Sequence, residues 1–319
     1  MRAVRFHEYG DEEVLRVDEV DRPEATGHDV VVEVAGAGVN PVDTYFREGS
    51  YEPFQLPMIP GVDVAGEVVA VSEHVDDYAV GDRVVGTGLG MNHFGGYAEY
   101  AAVPEDRLAH LPEGADLVAA GGAGVAAVTA WRALVDHAGL EPAESVLLHG
   151  GSGGVGHAAV QLAAATGAHV VTTAAPEYHD RLVELGADAV FDYADDDLAD
   201  AVVAETDGVD VVLDHRLDDY LQFDAEVAAT GGRVVGIGEN DPEVGFSNDG
   251  VARSKDVSYQ FMSMFNTPRL ADPLAGVAYL MGQGDIEIEV ARTYDLDDAA
   301  TAQVDVMNDS FLGKLVITP

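Results

Sequence analysis

Residues 145–165 read SVLLHGGSGGVGHAAVQLAAA, and this stretch decides the fold. An apolar strand at 145–149 runs into a glycine-rich turn, and an Ala-rich helical pattern follows from 154 to 166. In the spacing G-x-G-x-x-G the glycines are Gly151, Gly153 and Gly156. One permits the tight turn, one lets a diphosphate approach the backbone, and one lets the helix close on the strand. The free amides and positive end of the following helix would hold the anion, through Gly151, Gly153, Gly154, Val155 and Gly156. A glycine-rich turn without a ligand is the competing reading, and the strand and helix on either side weigh against it.

The end of the next strand predicts which dinucleotide is bound. A site for the unphosphorylated coenzyme places Asp or Glu there for the ribose 2′-OH, whereas residues 170–175 read VVTTAA. The missing acid points to NADP(H). Thr173, His179, Arg181 and Tyr193 are the polar side chains that could face a 2′-phosphate.

Working outward, strand patterns at 169–173, 189–192, 209–214 and 233–237 alternate with helical ones at 178–185 and 221–229. That alternation predicts a doubly wound parallel sheet. Before Pro112 the texture differs: Val-rich runs at 30–39, 63–71, 83–86 and 97–103, punctuated by Gly, Pro and Asp, predict an antiparallel or barrel-like β unit. The tail, with a helix at 268–283 and a strand at 313–318, returns to the texture of the first third. The run 259–265 alternates like a strand that packs in a core or at a dimer edge, or that walls the pocket.

Composition narrows the function. The 319 residues carry 16 Lys+Arg against 58 Asp+Glu, a formal net charge of -42, and no Cys. Disulfides, thiolate metal sites and cysteine nucleophiles are thereby excluded. Only Lys255 and Lys314 are lysines, and the acids spread along the whole length with one dense patch at 195–200. Such a surface opposes compaction by self-repulsion unless salt screens it, and at about 1 M salt the Debye length falls to roughly 3 Å. A protein of a high-salt cytoplasm is the expectation. Nucleic acid and anionic membrane are poor partners, because phosphate binding draws on clustered Lys and Arg. The start, MRAVRFHE, has no apolar signal core, and the Ala/Gly-rich uncharged run 117–131 is shorter than the roughly 20 residues a membrane span requires.

Several further stretches carry a family resemblance: VNPVDTY at 39–45, PGVDVAGEV at 60–68, GDRV at 81–84, TAWRAL at 129–134, the glycine turn, ELGAD at 184–188, GGRVV at 231–235 and GKLVI at 313–317. With them the chain resembles, over nearly its whole length, the zinc-independent, ζ-crystallin-like quinone oxidoreductases of the medium-chain dehydrogenase/reductase superfamily. The resemblance implies a GroES-like β domain at 1–117 and 266–319 around a Rossmann domain at 118–265. It also implies a homodimer built on sheet edges. Zinc-dependent relatives carry Cys where Asn40 stands and His-Glu where Val62-Asp63 stands, so no metal is expected.

What the resemblance implies chemically is hydride transfer from NADPH to a quinone or an α,β-unsaturated carbonyl. It places Asn40, Tyr45 and Tyr51 as candidate catalytic residues, with Asn40 donating its amide to the acceptor oxygen and the tyrosines donating a proton or walling the pocket. Asn40 and Thr129 would also contact the cofactor, as would His215, Ile237 and Gly238 at the strand ends. His215 departs from the family's usual Val-Gly and could supply a cation there; Lys314 could help with the 2′-phosphate or be structural. An enoyl-thioester reductase of the same superfamily, or a cofactor-binding protein without turnover, are the alternatives.

Overall fold

The Val-rich runs of the first third become strands because β-branched side chains fit a pleated, half-buried surface. The computed structural model describes all 319 residues, and they divide into two units, Met1–Val128 with Thr267–Pro319, and Thr129–Asn266. In the first unit β1 (Arg2–Arg5) and β2 (Arg16–Glu19) pair antiparallel. Five further strands form a larger antiparallel array: β3 (Asp29–Val39), β4 (Val64–Val71), β5 (Arg83–Gly86), β6 (Tyr100–Pro104) and β7 (Leu108–His110). Helix α1 (Pro41–Glu48) leaves β3 directly. Helix α2 (Leu117–Gly121) packs on β3 and β4, and α3 (Ala123–Trp131) follows it. The first unit therefore extends past 117 to Val128, because α2 lies on the antiparallel strands.

The second unit is the expected doubly wound sheet. Its strands are β8 (Ser145–Leu148), β9 (His169–Thr173), β10 (Ala189–Phe191), β11 (Val209–Asp214), β12 (Ala228–Gly236) and β13 (Ser258–Phe261). All pair in parallel, in the order β10-β9-β8-β11-β12-β13. The connecting helices are α4 (Gly154–Thr166), α5 (His179–Glu184), α6 (Leu198–Thr206), α7 (Leu217–Val227) and α8 (Asp249–Ser254). Leu147, Val171, Val212 and Val234 from the central strands pack with Leu198, Val202 and Val227 from α6 and α7. Each such side chain contributes about 1.5–3 kcal/mol on burial.

Three local expectations shift. Helix α6 was hidden by the acidic run 195–200, whose last residues begin it while Leu198 and Val202 supply the buried face. The helix expected through 229 stops at Val227, and Ala228 and Ala229 begin β12. The strand expected over 259–265 instead spans Ser258–Phe261, before a single tight turn at Met264–Asn266. After it the chain rejoins the first unit through α9 (Ala271–Gln283), β14 (Val290–Tyr294), α10 (Ala299–Asn308) and β15 (Lys314–Ile317). Strand β15 pairs antiparallel with β3, Leu315 opposite Val39.

Candidate active site

In the second unit the strand order reverses at β8, which has β9 on one side and β11 on the other. Ligands of doubly wound sheets bind at the carboxyl ends of the strands where the order reverses. The predicted turn sits there. Gly150 adopts φ 70, a left-handed conformation that favours glycine. The Gly153 N–H donates to Gly150 O at 3.0 Å, folding the loop back on itself. A Cβ at Gly156 would strike that same oxygen, so only glycine lets α4 start so close to the loop. Helix geometry leaves the N–H groups of Gly154, Val155 and Gly156 without intrahelical acceptors, which is the anion-binding arrangement.

The expected site residues of this unit divide by environment. Thr173 is buried, and its hydroxyl accepts the Gly150 N–H at 3.1 Å while the Gly151 N–H donates to Thr173 O at 2.8 Å. It thus braces the turn. Thr129 is buried on α3, whereas Tyr193 is 53% exposed. His179 Nε2 lies 3.0 Å from Ala174 O, and Arg181 pairs with Glu184 at 3.0 Å. The His215 ring lies against Gly150, where an added Cβ would meet Cε1 at 2.7 Å. The Ile237 N–H donates to Asp214 O at 2.8 Å, and Gly238 O accepts the Leu217 N–H at 3.1 Å. The turn, Thr173, His215, Ile237 and Gly238 are therefore brought to the carboxyl ends of neighbouring strands.

The first unit holds a separate buried network. Asn40 caps α1 and is 2% exposed. Its Nδ2 donates to Asp63 Oδ2 at 2.9 Å and its Oδ1 accepts from Lys314 Nζ at 2.5 Å. Asp63 Oδ1 also accepts from Thr87 Oγ1 at 2.6 Å and from the Val125 N–H at 2.8 Å. Burial pushes the Asp63 carboxyl up and the Lys314 ammonium down, and each charge opposes the shift of the other. Asp43 takes four donors: the N–H groups of Asn40, Gly61 and Val62, and the Tyr97 hydroxyl. Burial nonetheless pushes it up to about 7.

Both ends of the Asn40 amide are thus engaged within the protein, on Asp63 and Lys314. Lys314 Nζ also donates to Val39 O at 3.0 Å and is buried in this network, which makes it structural and takes it away from any 2′-phosphate. Tyr45 and Tyr51 stand edge-on to each other, ring centroids 5.9 Å apart, with Tyr51 49% exposed. Nothing in the sequence pattern singled out the Asp63–Lys314 pairing, because the two residues meet only when β15 joins β3.

The donor chemistry here does not suit zinc. Where zinc-dependent relatives carry Cys, His and Glu, this chain offers an engaged amide, the buried isopropyl group of Val62 and a carboxylate already bound by three donors. No group of three His, Asp or Glu side chains converges as metal ligands would.

Sequence reasoning also missed a buried cluster beneath the turn. His149 Nε2 lies 2.9 Å from Asp224 Oδ1, and the imidazole stacks on Tyr220 with centroids 4.1 Å apart. The available signal was a histidine closing the strand that feeds a glycine turn.

Comparison with known proteins fits this geometry. A family profile described as Alcohol dehydrogenase GroES-like domain matches residues 26–113, and one described as Zinc-binding dehydrogenase matches 185–317. The chain is 36% identical over 99% of its length to 97% of a quinone oxidoreductase of Lama guanicoe. It is 32% identical, over 96% of its length, to a stretch making up 14% of one component of the phenolphthiocerol/phthiocerol polyketide synthase of Mycobacterium tuberculosis. Among solved structures, an NAD-dependent alcohol dehydrogenase superposes with a TM-score of 0.92 at 28% identity, each chain fully covered. An Escherichia coli quinone oxidoreductase complexed with NADPH gives 0.88 at 26% identity, again with both chains fully covered. The chain belongs to the quinone oxidoreductase family of the medium-chain dehydrogenases/reductases.

Proposed function

We propose that this chain is an NADPH-dependent, metal-free reductase of a quinone or an α,β-unsaturated carbonyl. The observation that carries the reading is the turn from Gly150 to Gly156, closed so tightly that a side chain at Gly156 would strike Gly150 O. A full-length relative is named a quinone oxidoreductase, and a structural neighbour of that name is complexed with NADPH. The amides of Gly154, Val155 and Gly156 would hold the diphosphate, those of Gly151 and Gly153 being engaged on Thr173 O and Gly150 O, and His215, Ile237 and Gly238 follow the carboxyl ends of neighbouring strands. Bound there, the cofactor supplies a hydride. The residues supply position and charge: Arg181 is the side chain best suited to a 2′-phosphate, being the guanidinium beyond the acid-free end of β9.

Adding a hydride to a quinone or enone builds negative charge on oxygen, and a nearby donor stabilises it. The Tyr51 phenol, exposed beside Tyr45, is suited to donate to that oxygen, while the edge-on pair offers a wall for a flat acceptor. Asn40 acts one step back, positioning the start of α1. Steady NADPH oxidation with a naphthoquinone or an alkyl enone, in molar KCl with EDTA present, is the expected result. Inhibition by EDTA, or tight NADPH binding without turnover, would overturn this reading.

A second reading is supported by the match to the polyketide synthase: reduction of an enoyl thioester. A net charge of -42 disfavours the phosphate-bearing carriers of such substrates. Higher kcat/KM with an enoyl-CoA than with any quinone would favour it. The same charge supports function in a high-salt cytoplasm, with Tm rising between about 0.05 M and about 2 M KCl as repulsion is screened. Edge strand β13, which leaves Phe261 65% exposed, is the proposed dimer contact.

A further inference from the structure

Beneath the glycine turn, His149 follows β8, Asp214 closes β11 and Asp224 lies on α7, all three buried. Asp224 Oδ1 meets His149 Nε2, and Asp214 Oδ1 accepts the Arg216 N–H at 2.6 Å. The remaining oxygen of each carboxyl, Asp214 Oδ2 and Asp224 Oδ2, is buried with no donor, and the two carboxyls lie close enough to act on each other's ionisation. Neither carboxyl forms an ion pair with Lys or Arg; the Arg216 guanidinium is paired with Asp219. Two ionised carboxylates near each other in a dry interior lose their hydration and repel. A single proton supplies the missing donor and removes one of the charges.

We propose that Asp214 and Asp224 share one proton, taken up from solvent on folding, and that this pair acts through His149 as the positioning base of the glycine turn. Neutral His149 carries its hydrogen on Nε2 and donates it to Asp224, so the residual negative charge is held by that bond, the Arg216 N–H and the shared hydrogen. Burial and the neighbouring carboxylate push Asp214 up, burial pushes Asp224 up, and burial holds His149 down to about 4. The other titratable groups facing the cluster are His215 and Arg216 after β11, Asp218, Asp219 and Tyr220 on α7, Tyr259 on β13, and Tyr193. The connection to the turn is short. The His149 N–H donates to Leu213 O at 3.1 Å, and His215, next after Asp214, lies against Gly150. Loss of the shared proton sets two charges against each other where β8 and β11 meet under the loop.

The sign of the pH effect comes from linkage. The pair's stabilisation is fully present below the ordinary carboxyl range and is lost as pH rises through about 7 to 8. The test is thermal unfolding of the full chain in molar KCl for the wild type, Asp224→Asn and Asp214→Asn, since an amide keeps a hydrogen at every pH. Asp43 titrates in the same window, so the variant-minus-wild-type difference isolates the pair. That difference in Tm should become more favourable to the variants between about pH 6 and about pH 9; a difference independent of pH overturns the proposal. Should the variants fail to fold, carbon-13 NMR of aspartate-labelled wild type provides the check. It should show a carboxyl assigned to Asp214 or Asp224, distinct from that of Asp43, still protonated near pH 6, and its absence overturns the proposal.

The effect on the turn rests on the cofactor reading above. Wild-type Kd for NADPH should rise about fivefold or more over the same pH range and stay level in Asp224→Asn. An equal rise in both overturns the positioning role. No NADPH binding at any pH, with the carbon-13 signature present, upholds the shared proton and overturns the cofactor reading alone.

Discussion

Each unit buries two aspartates near its candidate site residues, and the two solutions differ. In the first, Asp63 faces Lys314 through Asn40 and collects donors from Thr87 and Val125, so its charge is answered by a fixed opposite charge. In the second, Asp214 and Asp224 have no cation, and a titrating proton is the remaining means of settling them. The counter-charge of Asp63 is supplied by a side chain that the fold places there, whereas a shared proton is drawn from solvent and comes and goes with pH. The Asp63 site of the antiparallel unit is therefore balanced within the fold, whereas the Asp214–Asp224 pair is a pH-dependent element beneath the glycine turn.

The contrast is broken most severely by Lys314→Met, which leaves Asp63 buried without its counter-charge and takes the donor from Asn40 Oδ1 and Val39 O. A loss of about 3–5 kcal/mol in denaturant unfolding is expected, and a loss under about 1 kcal/mol would show that the lysine is dispensable. Thr173→Val tests the other unit without touching its proton. It strands the Gly150 N–H and should cost about 1–3 kcal/mol, with Thr173→Ser retaining most of the stability. The smallest effect belongs to a partly exposed side chain, Arg181. Its replacement by Ala should weaken NADPH binding roughly tenfold, about 1.4 kcal/mol, and leave NADH binding unchanged. Equal effects on both coenzymes would move the 2′-phosphate contact elsewhere.

The parallel sheet and its turn were legible because their signals are local. A strand, a glycine spacing and a helix lie within residues 145–165, and the alternation beyond them repeats the same grammar. Thr173 was legible as a residue near the turn, but its hydroxyl faces inward to Gly150, because one strand position decides between core and cofactor. The amide of Asn40 was read from its place in a motif, while its actual partners come from the start of β4 and from β15, far away in sequence. The Asp214–Asp224 pair was illegible for a related reason. One residue ends a strand and the other sits in the last turn of the next helix, and nothing in an acid-rich chain distinguishes two buried carboxylates from the many on its surface.

The return of β15 to β3 has a bearing on how the polypeptide is made. All strands of the parallel sheet lie within residues 145–261, so that unit can close while the ribosome is still translating the C-terminal segment. The antiparallel unit must wait: Lys314 and the strand carrying it emerge after the whole intervening unit. Until then β3 exposes an edge to the crowded cell and Asp63 has no counter-charge. Nascent-chain proteolysis should find the second unit resistant first, with the earlier-synthesised first unit guarded last.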